Sequence, residues 1–344
     1  MRAMQRLSTT MPVRTIHVGV GGRGRWPVEV LSDDPHFQPV ALVDVVPANL
    51  AWARERSGLP EAACFGDIAA AIRHVEAEAL VIATPTRTHA TFCRAGFAAG
   101  KHVLVEKGMT LDWLDAQALV REAEQAGVAF CVSQNYRYQS EVVTLQQALA
   151  SGKYGTPHLI DLICHRHRPE PRTLDYPGAM VWDMGCHHFD NLVSLFGPVA
   201  EATAVTHNAP WSAYKDDAGI SAVLQFAAGP VCTYELTHQA TISEYRWLVQ
   251  SEAGALRVVG NGKWEWMPRG ELRQFAGHGA PEELPSVPMP RSEQSIVDDW
   301  HTYIREGKEP GISGRHNLET LAVCEMTLRA AALRRTVTRT EVSA

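Results

Sequence analysis

Apolar residues change their spacing once along this 344-residue chain, and the change divides it in two. Between Thr15 and Ser133, short runs that are apolar on both faces alternate with stretches of helical periodicity. The runs are Thr15–Val20, Val40–Asp44, Leu80–Thr84, His102–Glu106 and Ala129–Ser133. The helical stretches are Pro27–Asp33, Pro47–Arg56, Asp67–His74, Thr88–Ala99 and Leu111–Gln125. Strands with no polar face are buried parallel strands. Parallel neighbours joined through helices make right-handed βαβ units, so this half predicts an α/β Rossmann domain with a doubly wound parallel sheet.

Past Asn135 the alternation stops. A helix over Gln139–Ser151 ends at Gly152 and Gly155, which suit a left-handed cap and a turn. Strand patterns then follow one another: His158–His167, Glu201–Thr206, Gly219–Phe226, Val231–Thr237, Tyr245–Ser251 and Ala255–Val259. Helical signals interrupt them only at Met184–Phe196 and from Ser292 onward. Strands in series predict an α+β domain built on a large, mostly antiparallel open sheet. The division read from the pattern is a loose leader over 1–13, a nucleotide-type domain over 14–135 and a second domain over 136–344. Gly277–Pro290 reads as a surface loop, and Gly314–Arg335 as a closing amphipathic helix with Leu318, Leu321, Ala322, Met326 and Leu328 on one face.

Composition narrows the function classes. The chain is 45% hydrophobic and 20% charged, as soluble globular proteins are. A net charge of -6 argues against nucleic acid as a partner. No apolar run matches a membrane span, and the leader lacks the apolar core of a secretory signal, so no membrane association and a cytoplasmic location are expected. Seven scattered cysteines without a CxxC pair fit reduced thiols rather than a disulfide framework or a zinc site.

The first chemistry-bearing motif follows the first predicted strand. Gly19, Gly21 and Gly24 form GxGxxG, with Gly22 and Arg23 inside the loop. Glycines let the turn be tight and the backbone approach a pyrophosphate, and the helix behind aims its N-terminal amides at the negative charge. Asp44 ends the next strand 20 residues after Gly24, where a carboxylate binds ribose hydroxyls and repels a 2′-phosphate. NAD is therefore expected as cofactor in preference to NADP, with Arg23 partly offsetting the charge of Asp44.

Three further stretches carry a resemblance. They are Val81-Ile-Ala-Thr84-Pro85 with His89, Ala99-Gly-Lys-His-Val-Leu-Val-Glu106-Lys107, and Asp183-Met-Gly-Cys-His187-His-Phe-Asp190. With the glycine motif, in this order and across both predicted domains, the chain resembles the Gfo/Idh/MocA (glucose–fructose oxidoreductase, inositol dehydrogenase) oxidoreductases. The resemblance implies cofactor contacts from Thr84, Pro85, His89, Glu106, Lys107 and Asn135, and a catalytic trio of Lys107, Asp183 and His187. It also implies a homodimer or homotetramer formed through the second domain's sheet. Gly108 stands where the family usually has a proline that shapes the backbone beside the lysine.

The residues argue for the same chemistry. Oxidising a secondary alcohol needs a hydride acceptor, a base for the hydroxyl proton and positive charge beside the developing alkoxide. Lys107 ends the fifth strand, at the edge where open α/β sheets place their ligands. Asp183 and His187 are four apart and share a face if helical; His187 is the natural base, and Gly185 leaves room for substrate. In His165-Arg166-His167-Arg168, strand alternation sends the histidines to one side and the arginines to the other. Arg137, His165, His167, Trp182 and His188 are the candidate substrate contacts, and no metal site is expected. The reading is an NAD(P)-dependent oxidoreductase acting on a ring secondary alcohol of a sugar, sugar derivative or cyclitol. The alternatives are a non-catalytic NAD-binding regulator, a family reductase of imines or dihydrodiols, and an enzyme that recycles hydride on tightly held NAD.

Overall fold

The computed structural model describes residues 11–168, 170, 176–214, 217–259, 263–268 and 281–343. The first ten leader residues, Arg172 and residues 277–280 of the expected loop lie outside them. The chain divides into two compact units, Met1–Asn135 with Pro290–Leu318, and Tyr136–Met289 with Glu319–Ala344.

The first unit starts with β1 (Val13–Val18), α1 (Arg25–Asp33), β2 (Phe37–Val43), α2 (Pro47–Ser57), β3 (Cys64–Phe65) and α3 (Ile68–His74). It continues with β4 (Ala79–Ile82), α4 (His89–Ala98), β5 (His102–Glu106), α5 (Trp113–Ala126) and β6 (Phe130–Ser133). Its sheet is ordered β3-β2-β1-β4-β5-β6, with every pairing parallel. β4 and β6 are buried along their whole length, which is why their sequences lack a polar face. The order reverses between β1 and β4, the crevice where such sheets bind ligands.

The sequence pattern assigns residues 136–344 to the second domain, whereas Pro290–Leu318 packs with the first unit. The stretch carries α8 (Ser292–Glu306), which buries Ile296, Val297, Trp300 and Ile304. Trp300 stacks on Phe37 of β2 with ring centroids 5.5 Å apart, and Arg305 reaches Glu78 at 2.8 Å. An amphipathic helix follows whichever apolar surface completes its buried face, and spacing alone does not name that surface.

The second unit contains α6 (Ser140–Ala150), β7 (Pro157–His167), α7 (Cys186–Phe196), β8 (Val199–His207), β9 (Gly219–Phe226), β10 (Val231–Thr237), β11 (Gln239–Ser251), β12 (Gly254–Val259), β13 (Lys263–Pro268) and β14 (Glu282–Glu283). α9 (Gly314–Leu333), of which residues to Leu318 count with the first unit, precedes β15 (Val337–Thr338) and α10 (Arg339–Ser343). The nine strands run β14-β13-β12-β11-β7-β10-β9-β8-β15. All pairings are antiparallel except β7 with β10. One face is buried through Leu162, Cys164, Tyr234, Leu236 and Trp247; on the other, Val205 and Val223 remain exposed. The alternation in β7 and β10 follows from this one-sided cover.

Candidate functional site

At the carboxyl edge of the parallel sheet, the loop after β1 is built so that only glycine fits. Gly19 has φ of +79°, and a Cβ there would lie 2.8 Å from the Ala83 carbonyl oxygen and from Thr84 Cγ2. A Cβ on Gly24 would overlap the Gly19 carbonyl oxygen, and one on Gly21 the Asn49 amide. The loop therefore leaves its backbone bare at the start of α1, the arrangement that receives phosphate. Asp44 holds this loop: its carboxylate accepts from Val20 N at 2.9 Å, Val46 N at 2.8 Å and the Asn49 amide at 3.2 Å. Arg23 turns towards Glu106, at 3.3 Å, so the offset it was expected to give Asp44 is not what its guanidinium provides here.

Glu106 is a collecting point that the sequence did not reveal. Its buried carboxylate accepts from Trp26 Nε1 at 2.6 Å, Ser133 Oγ at 3.1 Å, Arg23 at 3.3 Å and the Lys107 backbone N–H at 3.1 Å. Neither Trp26 nor Ser133 belongs to a motif; only the fold brings them to this carboxylate. Lys107 leaves β5 half-buried beside this cluster, and the Lys107–Gly108 peptide bond is cis.

His89 was expected at the cofactor, yet its imidazole is 1% exposed and its nitrogens face backbone. Nδ1 lies 2.8 Å from the Gly108 carbonyl oxygen and Nε2 2.8 Å from that of Thr84. Burial pulls its pKa below the usual value while the two carbonyls pull it up. The ring ties the loop after β4 to the backbone following Lys107. Thr84 and the exposed Pro85 stay at the loop surface, and Thr88 Oγ1 donates to Thr84 Oγ1 at 2.8 Å. Asn135 ends the unit with its Oδ1 buried and without a partner among the described residues.

In the second unit, a π-helical turn over Val181–Gly185 runs directly into α7. Asp183 sits in that turn and His187 in the first turn of α7, so both lie on one continuous helical run. Such π-turns are frequent at functional sites. The His187 ring stacks on Tyr136, centroids 4.1 Å apart and planes 15° off parallel. Tyr136, in the Asn-Tyr-Arg segment, was not among the candidates.

The proposed substrate contacts are placed differently from the expectation. Arg137 forks onto Asp190, with Nε–Oδ2 at 3.0 Å and Nη2–Oδ1 at 2.7 Å, and Thr320 Oγ1 donates to the same carboxylate at 3.0 Å. It anchors α7 through that pair. His188 is fully buried, Nδ1 2.9 Å from the Tyr234 hydroxyl; burial, with Arg166 and His238 nearby, pushes its pKa down to about 3. Trp182 is buried as well and presents little ring surface. His165 pairs with Glu235 at 3.0 Å and His167 Nδ1 contacts the Ala240 carbonyl oxygen at 2.9 Å. Glu235 points away from the buried Tyr234 and Leu236 on either side of it, so the histidines take the open face of the sheet and the arginines the helix-covered one. Among the described residues, no three His, Cys, Asp or Glu side chains stand together as a metal would require. No described helix is long and apolar enough to cross a membrane.

Strand order, glycine cradle and Asp44 define a dinucleotide-binding unit of the dehydrogenase type. Residues 13–134 match the oxidoreductase family model described as an NAD-binding Rossmann fold, and residues 142–257 match the GFO/IDH/MocA C-terminal domain. The chain belongs to the Gfo/Idh/MocA oxidoreductase family, with an NAD-binding first domain. It is 27% identical to a D-apiose dehydrogenase of Paraburkholderia graminis over 93% of this chain and 88% of that protein. It is 28% identical to a myo-inositol 2-dehydrogenase of Thermotoga maritima over 54% of this chain and 55% of that protein. Its fold matches an aldose-aldose oxidoreductase of Caulobacter crescentus with a TM-score of 0.81 at 19% identity, over 95% of this chain and 99% of the other. The bare glycine backbone and the orphaned Asn135 oxygen fit the family's NAD.

Proposed function

We propose that the protein is an NAD-dependent dehydrogenase of a ring secondary alcohol in a sugar, sugar derivative or cyclitol. The observation that carries the reading is the setting of Lys107. It stands at the carboxyl end of β5, where open parallel sheets bind ligands, with its backbone N–H fixed by Glu106. The names of the D-apiose and myo-inositol relatives support the substrate class. NAD, when bound, supplies the hydride acceptor. Lys107 holds the substrate oxygen and stabilises its negative charge as the proton leaves. His187 takes that proton, and Asp183 orients or charge-stabilises the imidazole. Asp44 and the glycine loop hold the adenosine half, Asp44 disfavouring a 2′-phosphate.

Replacing His187 with Ala is expected to lower kcat by about 100-fold or more, the usual contribution of a positioned base, while NADH binding followed by fluorescence stays within about threefold. Turnover that survives the replacement refutes the assignment of the base. A panel of inositols, aldoses and sugar acids with NAD, read at the NADH absorbance, tests the substrate class. The same reading carries association of copies through the open sheet face, which sedimentation velocity tests.

A further inference from the structure

We propose that Arg166 and Arg168 form an anion subsite in the second unit, so that the substrate is a sugar bearing a carboxylate or phosphate group. The proposal rests on the dehydrogenase reading above and narrows its substrate class.

Both side chains leave β7 or its immediate extension on the helix-covered side. Alternation along the strand groups Arg166 and Arg168 with the buried Leu162 and Cys164. The ladder continues through the second arginine, whose backbone N–H donates to the His238 carbonyl oxygen at 2.9 Å. Arg166 and Tyr136 line the same cavity side by side, and Tyr136 is the ring stacked on His187. Arg166 also lies close enough to His188 to help hold it neutral. One guanidinium is therefore two contacts from the assigned base.

The two arginines line a cavity of about 570 Å3 together with Tyr136, Gln139, Cys164 and Tyr245, a size suited to a small ligand. Neither has an ion-pair partner among the described residues, whereas Arg137, Arg246 and Arg257 each reach a carboxylate. Of the carboxylates lining the cavity, Glu244 is paired with Arg246, and Glu141 lies within 4.0 Å of neither arginine. Arg168 Nη1 is buried with no hydrogen-bond partner among the described residues. Keeping a guanidinium N–H buried and unbonded costs free energy that a bound oxyanion would recover. Two guanidinium forks two residues apart suit a carboxylate or a phosphate, both of which present oxygens to paired N–H donors.

The test compares matched substrates on the intact enzyme with NAD: D-glucose against D-glucuronate and D-glucose 6-phosphate, and D-galactose against D-galacturonate. The expected result is a kcat/KM for an anionic sugar at least about tenfold above its neutral counterpart, the scale of one charge-assisted hydrogen bond. Arg168→Gln, and separately Arg168→Lys, should lower that anionic-to-neutral ratio by about tenfold or more, carried by KM, with the melting temperature recorded for each variant. A sugar acid preferred over the phosphate identifies a carboxylate subsite, and the reverse identifies a phosphate subsite. Neutral sugars turned over as well as anionic ones, or a ratio unchanged in both variants, overturn the subsite and leave the dehydrogenase reading standing. Calorimetric binding of glucuronate or glucose 6-phosphate that depends on Arg168, without NADH formation from any sugar, upholds the subsite and refutes the dehydrogenase reading. Absence of both binding and turnover for every anionic sugar overturns the subsite.

Discussion

Removing Arg137 separates two accounts of the residue that follows Asn135 and Tyr136. If it contacted substrate, its loss would raise KM and leave the apo-protein's stability alone. The structure gives it to Asp190 instead, in a two-point pair with side chains 18% and 1% exposed. Replacing Arg137 with Met leaves the Asp190 carboxylate buried, with the Thr320 hydroxyl as its remaining side-chain donor among the described residues. Breaking one side of a buried pair costs about 3–5 kcal/mol. The second unit is of a size for which each kcal/mol shifts Tm by about 2–4 °C, so a fall of roughly 6–20 °C is expected. Asp190 lies one turn beyond His187 on α7, so kcat should fall as well, through a base whose helix is no longer pinned. The assay is calorimetric melting of the ligand-free variant beside steady-state kinetics. Arg137→Met with Asp190→Leu should recover part of the lost Tm, because the unpaired charge is gone. A variant with unchanged Tm and a tenfold higher KM would refute this account and return Arg137 to the substrate.

Three other outcomes follow from named contacts. Gly24→Ala should weaken NADH binding, because its methyl overlaps the Gly19 carbonyl oxygen and forces the phosphate loop open; overpacking of about 1–3 kcal/mol corresponds to roughly 5- to 150-fold in Kd by fluorescence titration. Asp44→Asn removes the charge that disfavours a 2′-phosphate, so the NAD-to-NADP ratio of kcat/KM should fall by about tenfold or more, and an unchanged ratio removes the cofactor argument. His17 and His188 are buried and His102 half-buried, and desolvation pushes their pKa values down from the usual 6.5 to about 3, 3 and 4. The unfolded chain then binds more protons than the folded one below pH 6.5. Stability present above that pH should decline towards pH 4, by up to about 1.4 kcal/mol per pH unit for each histidine, as urea unfolding midpoints would show; a flat profile contradicts the burial of these rings.

What the sequence could disclose depended on how local each signal is. Burial on both faces marks β4 and β6 within four residues each, and a turn that excludes every Cβ marks itself as Gly19, Gly21 and Gly24; both are written in consecutive residues. β3, β14 and β15 have two residues each and exist only because a neighbouring strand offers them an edge, so no periodicity could announce them. The candidate site divides in the same way. The Asp183–His187 spacing is legible because a helical run converts four residues into one turn. Glu106 is legible as a motif member but not as an acceptor for Trp26 and Ser133, 80 and 27 residues away in sequence. The choice between His165/His167 and Arg166/Arg168 shows the limit most clearly. Alternation fixes that the two pairs oppose each other, yet which pair meets the helices depends on the register of β10, where Leu236 opposite Cys164 sets the buried face. A one-residue slip in that pairing would exchange the faces. Chemistry that depends on which side of a strand is covered is therefore readable only after the sheet has closed, and the anion subsite proposed at Arg166 and Arg168 is of that kind.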